Sequence, residues 1–302
     1  MNIGKKIKEL RIEKLMTQSE LAGGEITRNM LSRIENGAAN PSLSTIIHLA
    51  SKLGVPAGYL LSEGDEEFIY HKTNAIKNIR RAYTDGHFEL CRDLCLSSFD
   101  EYDDELELIL ADCCFEIAEE QMRSGRLYEA RDYLDEAMRH AEKTMFDCSA
   151  HKNGEQVMFE ILKEISPSLD SNEDDVEIDD GLLYPAVHKK LFCKYLAVLL
   201  DITKYSAFEA DFKRSHKRGA EGRDMPLLLH LKARRLMSEE RYSDALKMLK
   251  EAMNSDIGDQ RLILYFTCAD TEECCRELED YKGAYEFSQN KIEILEHMLI
   301  ER

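Results

Sequence analysis

The sequence predicts an all-α protein: an N-terminal five-helix domain followed by an α-solenoid of stacked helix pairs. Three observations carry this. Leu, Glu, Lys, Ala and Arg are abundant while Pro numbers only 5, so long helices are favoured and few are interrupted. Apolar residues recur at helical spacing through the chain. Charge is also divided: residues 1 to 62 carry eight Lys or Arg against five Glu, a net +3, which leaves −22 of the overall −19 on the remainder. Only the first part can lie against a polyanion, and the rest is repelled by one. With 302 residues, a chain of two domains is expected, divided as 1–66 and 67–302.

The first helix is amphipathic through Ile3, Ile7 and Leu10 and runs to about Lys14. Thr17-Gln18-Ser19-Glu20 then reads as a capping box, in which the Thr17 hydroxyl accepts from the Glu20 amide and Glu20 reaches back. Leu21 and Ala22 face inward, and Gly23-Gly24 end this second helix, since glycine takes the left-handed conformation without a Cβ clash. Thr27 is the expected N-cap of a third helix, Arg28 to Glu35. There Met30, Leu31 and Ile34 are expected inside, and Arg28, Asn29, Ser32 and Arg33 outside. Asn36-Gly37 closes it. Pro41-Ser42 opens a fourth helix with Leu43, Ile46, Ile47, Ala50 and Leu53 inside, and Gly54-Val55-Pro56 leads to a short fifth helix ending near Leu61. Helices two and three, joined by a tight turn, form a helix-turn-helix, and this domain is expected to bury its apolar faces in its own small core.

The string TQSELAGGEITRNMLSRIENGAANPSLSTIIHLASKLGVPAGYLL resembles the Xre/Cro family of phage-repressor-like DNA-binding domains over residues 3 to 62. The turn between Ala22 and Thr27 is one residue shorter than in the phage repressors. The resemblance implies double-stranded DNA as partner, with Gln18 and the backbone around Asn36 and Gly37 on phosphates, and with Arg28 and Asn29 in the major groove. Arg33 would reach a base or a phosphate, beside Thr27 and Ser32. The chemistry agrees, because Arg forks onto guanine O6 and N7 and Asn onto adenine N6 and N7. The family also pairs a first-helix Arg with the Glu before Asn-Gly, which implies a structural salt bridge between Arg11 and Glu35.

After the acidic run 63 to 67, expected as a linker, amphipathic helices continue to Arg302. Residues 126 to 138, RLYEARDYLDEAM, align with 241 to 253, RYSDALKMLKEAM, and weaker copies stand at HFELCRDLC and YKGAYEFSQ. The register puts Cys91, Ala130, Ala245 and Ala284 at one place in each copy. Small residues there let two antiparallel helices approach closely. The pattern is similar to tetratricopeptide repeats. Residues 170 to 180, with seven carboxylates, read as a solvated acidic loop and lack the spacing and Gly of a calcium loop. His87, Cys91 and Cys95 share one helical face, and Cys113-Cys114 fall on the next helix. Zinc or redox chemistry uses such faces, but small buried thiols in a repeat core explain them more simply.

No P-loop, Rossmann glycine pattern or metalloprotease motif is present, so neither an enzyme nor a cofactor or metal is expected. The amino terminus lacks the apolar stretch of a secretory signal and no run could span a bilayer. An odd nine cysteines fit a reducing compartment, so a cytoplasmic protein without membrane contact is expected. An Xre-like reader joined to such repeats resembles the RRNPP peptide-sensing regulators of Gram-positive bacteria. This implies a transcription regulator, a homodimer through its carboxy-terminal helices, with a signalling peptide of the quorum-sensing kind on the repeats. The other reading is a DNA-tethered scaffold whose repeats bind a protein partner.

Overall fold

The computed structural model describes residues 3–62, 65–99, 101–166, 169, 190–216, 223–255 and 258–300. Among these residues there is no strand, only an isolated bridge between Gly23 and Ile26. The chain divides into two compact units, residues 1–81 and 82–302.

Unit 1 opens with α1 (Ile3–Glu13), α2 (Gln18–Ala22), α3 (Arg28–Glu35), α4 (Leu43–Leu53) and α5 (Ala57–Leu61), and α6 (Asp65–Thr84) spans the border between the units. Residues 65 to 67 of the expected linker are thus helical. The starts and stops have local causes. Thr17, Thr27 and Ser42 each accept from a backbone amide three residues on, and Gly23 (φ 59°) and Gly54 (φ 62°) end α2 and α4 in the left-handed region. Ile7, Leu21, Leu31, Ile34, Leu49, Leu53 and Leu60 form the core, none more than 1% exposed.

Three expected core residues lie outside: Met30 is 43%, Leu43 64% and Ile47 54% exposed. The buried face of α4 is Ile46, Leu49, Ala50 and Leu53, an i, i+3, i+4, i+7 stripe. Ile47 lies about 100° around the helix from Ile46, beyond the width of that stripe. Met30 stands in the same relation to Leu31. Ile12 and Leu15 are exposed too, so this domain does not bury all of its apolar surface.

Unit 2 holds α7 (Phe88–Ser98), α8 (Asp104–Ser124), α9 (Leu127–Lys143), α10 (Ser149–Ile165), α11 (Leu191–Leu200), α12 (Tyr205–Ser215), α13 (Met225–Ser238), α14 (Tyr242–Asn254), α15 (Arg261–Glu277) and α16 (Tyr281–Ile300). The repeat copies begin α7, α9, α14 and α16, and each is entered through the same turn. Gly86, Gly125, Glu240 and Glu279 all have positive φ, of 76°, 85°, 59° and 60°. The next residue in each case, His87, Arg126, Arg241 and Asp280, donates its amide to the carbonyl five back, at 2.8 to 2.9 Å. This is the 6→1 bond of a Schellman turn. Its carbonyl then accepts from the aligned small residue, Cys91, Ala130, Ala245 or Ala284. All four are buried, so the small side chain sits where the second helix first meets the first.

The pairs α8–α9, α13–α14 and α15–α16 pack most extensively, and α15 also packs on α8. A carbon added to Gly125 would lie 2.7 Å from Cγ of Met298 in α16, so the last pair seats directly on the α8–α9 turn. One core joins Phe115, Leu134, Ile161, Phe192, Phe208, Leu262 and Met298. His87 precedes α7 and is exposed, so it does not share the buried face of Cys91 and Cys95. All nine cysteines are free and buried. The acidic stretch 170 to 180 lies outside the described residues. Among the described residues no helix is long and apolar enough to cross a membrane, and no group of three or more His, Cys, Asp or Glu is arranged to hold a metal ion.

Candidate nucleic-acid interface

The turn from Gly23 to Ile26 brings α2 and α3 together, and Leu21, Leu31 and Ile34 anchor both helices in the core. What α3 leaves outside is polar and basic. Arg28, Asn29, Arg33 and Asn36 are exposed and Ser32 is half-buried. Thr27 caps the helix, its hydroxyl oxygen accepting from the Met30 amide at 3.1 Å, which leaves its O–H free to donate outward. Arg33 turns toward the end of the helix, where Nη2 is 3.5 Å from the Ala38 carbonyl. Asn36 ends α3, and Gly37 follows with φ 70°.

The only acid of α3, Glu35, is withdrawn from this face. Its side chain is 1% exposed. Arg11 of α1 donates Nε to one carboxylate oxygen at 2.7 Å and Nη2 to the other at 3.0 Å, and its Nη1 donates to the Met16 carbonyl at 2.9 Å. The bidentate fork places the charge of Glu35 under a guanidinium, and hydrogen bonding to Glu35 raises the Arg11 pKa. Glu35 accepts a third bond, from Gln18 Nε2 at 2.8 Å. That contact has a directional consequence. An amide nitrogen has two hydrogens, so with one held by Glu35 the second is aimed away and can donate to a phosphate. The capping box at the start of α2 orients the same residue: Thr17 and Glu20 exchange both bonds, at 2.6 and 3.2 Å, and this lowers the Glu20 pKa.

Two further residues shape the surface, and the sequence reading did not single them out. Gly4 lies where α1 crosses α3, and a carbon added there would stand 2.0 Å from the Ile34 carbonyl oxygen. A glycine inside an amphipathic helix was the available signal. Lys6 is buried at 1% exposure; its Nζ donates to the Tyr59 carbonyl at 3.3 Å, the Ser62 carbonyl at 2.5 Å and Ser62 Oγ at 3.2 Å. It neutralises the carbonyl end of α5 and ties α1 to it. A lysine between apolar helix positions gave no sign of this.

A helix-turn-helix family model matches residues 7–60. The immunity repressor protein of Bacillus phage phi105 is 38% identical over 64 residues, 21% of this chain and 44% of that protein. This chain therefore spans less than half the length of that relative. The transcriptional repressor RstR of the cryptic phage CTXphi of Vibrio cholerae is 30% identical over 97 residues, 31% of this chain and 87% of that protein. Across the whole chain, PlcR of Bacillus thuringiensis, solved with the peptide PapR7 and DNA, aligns at 18% identity over 98% of this chain and 95% of its own, with a TM-score of 0.31. ComR of Streptococcus vestibularis, solved with its signalling peptide XIP, aligns at 16% identity over 97% and 98%, with a TM-score of 0.27. Likeness at that level assigns no residue of this chain a partner. The match over α1 to α5, the near-complete span of RstR and the donor-bearing face of α3 establish the identity: the chain belongs to the Xre-like helix-turn-helix family of DNA-binding transcription regulators.

Proposed function

We propose that this chain is a sequence-specific, homodimeric regulator whose first 66 residues read an operator and whose residues 67 to 302 dimerise and bind a controlling ligand. The exposed face of α3 carries the reading. Arg28 would fork onto a guanine and Asn29 onto an adenine in the major groove. Gln18, Thr27, Ser32, Arg33 and Asn36 lie around these two, and Gln18 and Asn36 would hold phosphates. One such module reads a half-site, so two chains are needed for a two-fold operator spaced by about one turn of DNA. α16 supports pairing: Tyr281 is 71%, Tyr285 66% and Ile292 44% exposed, at i, i+4 and i+11 on one side of the helix.

For the ligand, unit 2 has a groove of about 1010 Å³ at the α8–α9 turn. Charges of both signs line it and pair with one another, Lys190 with Glu116, Arg223 with Glu120 and Arg123 with Glu119. A ligand entering it must offer both charges in exchange, as a short peptide with free termini does. Selection of binding sites from random duplexes tests the reading: Arg28→Ala should lose preference at one base pair and weaken binding by about 1–3 kcal/mol, while Gln18→Ala weakens all sequences alike. Unchanged base preference in Arg28→Ala would remove α3 from the groove. Sedimentation of the full chain should give a dimer, and a monomer at operator-saturating concentration would refute the pairing.

A further inference from the structure

Three thiols of unit 2 meet at one point. Cys91 and Cys95 lie one turn apart on α7 and Cys113 faces them from α8, all three at 0% exposure. The Cys91 sulfur is in hydrogen-bonding contact with both of the others. Helix geometry separates the two pairings open to it. Side chains four apart on one helix hold their Cβ atoms about 5–6 Å apart, beyond the ~3.5–4.5 Å that a disulfide requires. Cys91 and Cys95 therefore cannot join without unwinding that turn. Cys113 comes from a separate helix and is under no such constraint.

We propose that Cys91 and Cys113 form a reversible disulfide when the protein meets a hydroperoxide, clamping α7 onto α8. The Cys91 thiolate attacks the O–O bond, taking one oxygen as a sulfenic acid while the other leaves as water after protonation. The Cys113 sulfur then displaces hydroxide from that sulfenic acid, the S–S bond forms, and its thiol proton leaves with the hydroxide as a second water. Two thiols lose two electrons and two protons, and the peroxide accepts them. Cys91 is the attacking sulfur because both neighbouring thiols donate to it, which lowers its pKa to about 4, whereas donation to Cys91 and burial raise those of Cys95 and Cys113. Access comes from position in the stack. The principal partner of α7 in unit 2 is α8, and terminal elements of stacked helix pairs open more readily than central ones.

The test uses the full-length protein with and without hydrogen peroxide, followed by denaturation, alkylation and peptide mass mapping. The expected result is that two of the nine cysteines resist alkylation, that one cross-linked peptide joins Cys91 to Cys113, and that a thiol reductant restores both. Hydrogen exchange of the α7 amides should slow in the oxidised protein. Cys95→Ala should keep the cross-link and Cys91→Ser should abolish it; because the map is read first on the unsubstituted chain, misfolding of a variant cannot decide the outcome. Full alkylation after peroxide, a Cys91–Cys95 link, a bond between two chains, or irreversible oxidation of Cys91 to a sulfinic acid would each overturn the proposal.

Discussion

Replacing Gly4 by alanine sets helix propensity against packing. In an unobstructed helical position the exchange stabilises by up to about 1 kcal/mol, because alanine has less backbone freedom to lose. At Gly4 the new carbon would stand 2.0 Å from the Ile34 carbonyl oxygen and 3.0 Å from its carbonyl carbon. An ordinary carbon–oxygen contact is about 3.3 Å, so α1 and α3 must part by roughly 1.3 Å, and a backbone carbonyl held in a helix cannot swing aside as a side chain can. Overpacking of this kind costs about 1–3 kcal/mol and sometimes more, against a total domain stability of about 5–15 kcal/mol. The expected net is a loss of about 1–2 kcal/mol. The displaced helix carries Arg28 and Asn29, so operator affinity should fall with it. Hydrogen exchange of the α3 amides in the full chain measures the effect. Gly58→Ala in α5 is the control, since a carbon added there meets nothing within 4 Å. The α3 amides should exchange about 5 to 30 times faster in Gly4→Ala and no faster in Gly58→Ala. Equal protection in the two proteins would refute the claim that the α1–α3 crossing depends on the missing Cβ.

Glu35→Ala removes the acceptor of Arg11 and Gln18 and leaves a largely buried guanidinium with the Met16 carbonyl. Denaturant unfolding should show unit 1 weakened by about 3–5 kcal/mol, and a loss under about 1 kcal/mol would mean that the pair is screened by solvent. Gly125→Ala is strained twice, by its φ of +85° and by Met298 at 2.7 Å, whereas Gly258 has φ +56° and nothing within 4 Å. Its thermal midpoint should therefore fall well below that of Gly258→Ala, and matching midpoints would show that Met298 gives way freely. The stability of unit 2 should also depend on pH. Neither carboxylate oxygen of Glu155 has a hydrogen-bond partner among the described residues, and burial pushes its pKa up from 4.5 to about 7. The hydrogen bond to Asp112 raises His151 from its ordinary 6.5. Both groups hold their protons more tightly when folded, so this stability is present in mild acid and lost as pH rises, through 4.5 to 7 for Glu155 and above 6.5 for His151. For Glu155 alone the loss is about 3 kcal/mol. Glu136, lowered to about 2 by hydrogen bonding with His140 and then Arg92, acts in the opposite sense and is lost as pH falls. The thermal midpoint should peak near about pH 5, and a midpoint still climbing from pH 5 to 8 would contradict the burial of Glu155.

Much of the reading surface was legible because its signals are local. The Thr17 and Thr27 caps and the Gly23 stop each act within four residues of chain, and they set where α2 and α3 begin and end. The exposed donors of α3 followed from helical spacing. Local spacing overreached at Met30, Leu43 and Ile47, because a periodic pattern marks which residues can be buried and says nothing of how wide a face the neighbouring helices cover. In the repeats, the aligned small residues were visible. The shared turn was not, since glycine fills its left-handed position at Gly86 and Gly125 but glutamate does at Glu240 and Glu279.

By itself, then, the sequence determined the all-helical class, the helix ends of the reader, the repeat register and the segregation of positive charge in the first 62 residues. These depend on neighbours a few residues apart or on composition, and no packing arrangement alters them. The choice of partners was decided only by tertiary structure. Gln18 bonds Glu35 across 17 residues, Lys6 bonds Ser62 across 56, Cys113 joins the face of Cys91 and Cys95, and Met298 seats on Gly125. Each contact depends on the angle and depth at which two helices meet, and that is set by the volumes of all the side chains between them. No spacing along one helix encodes it.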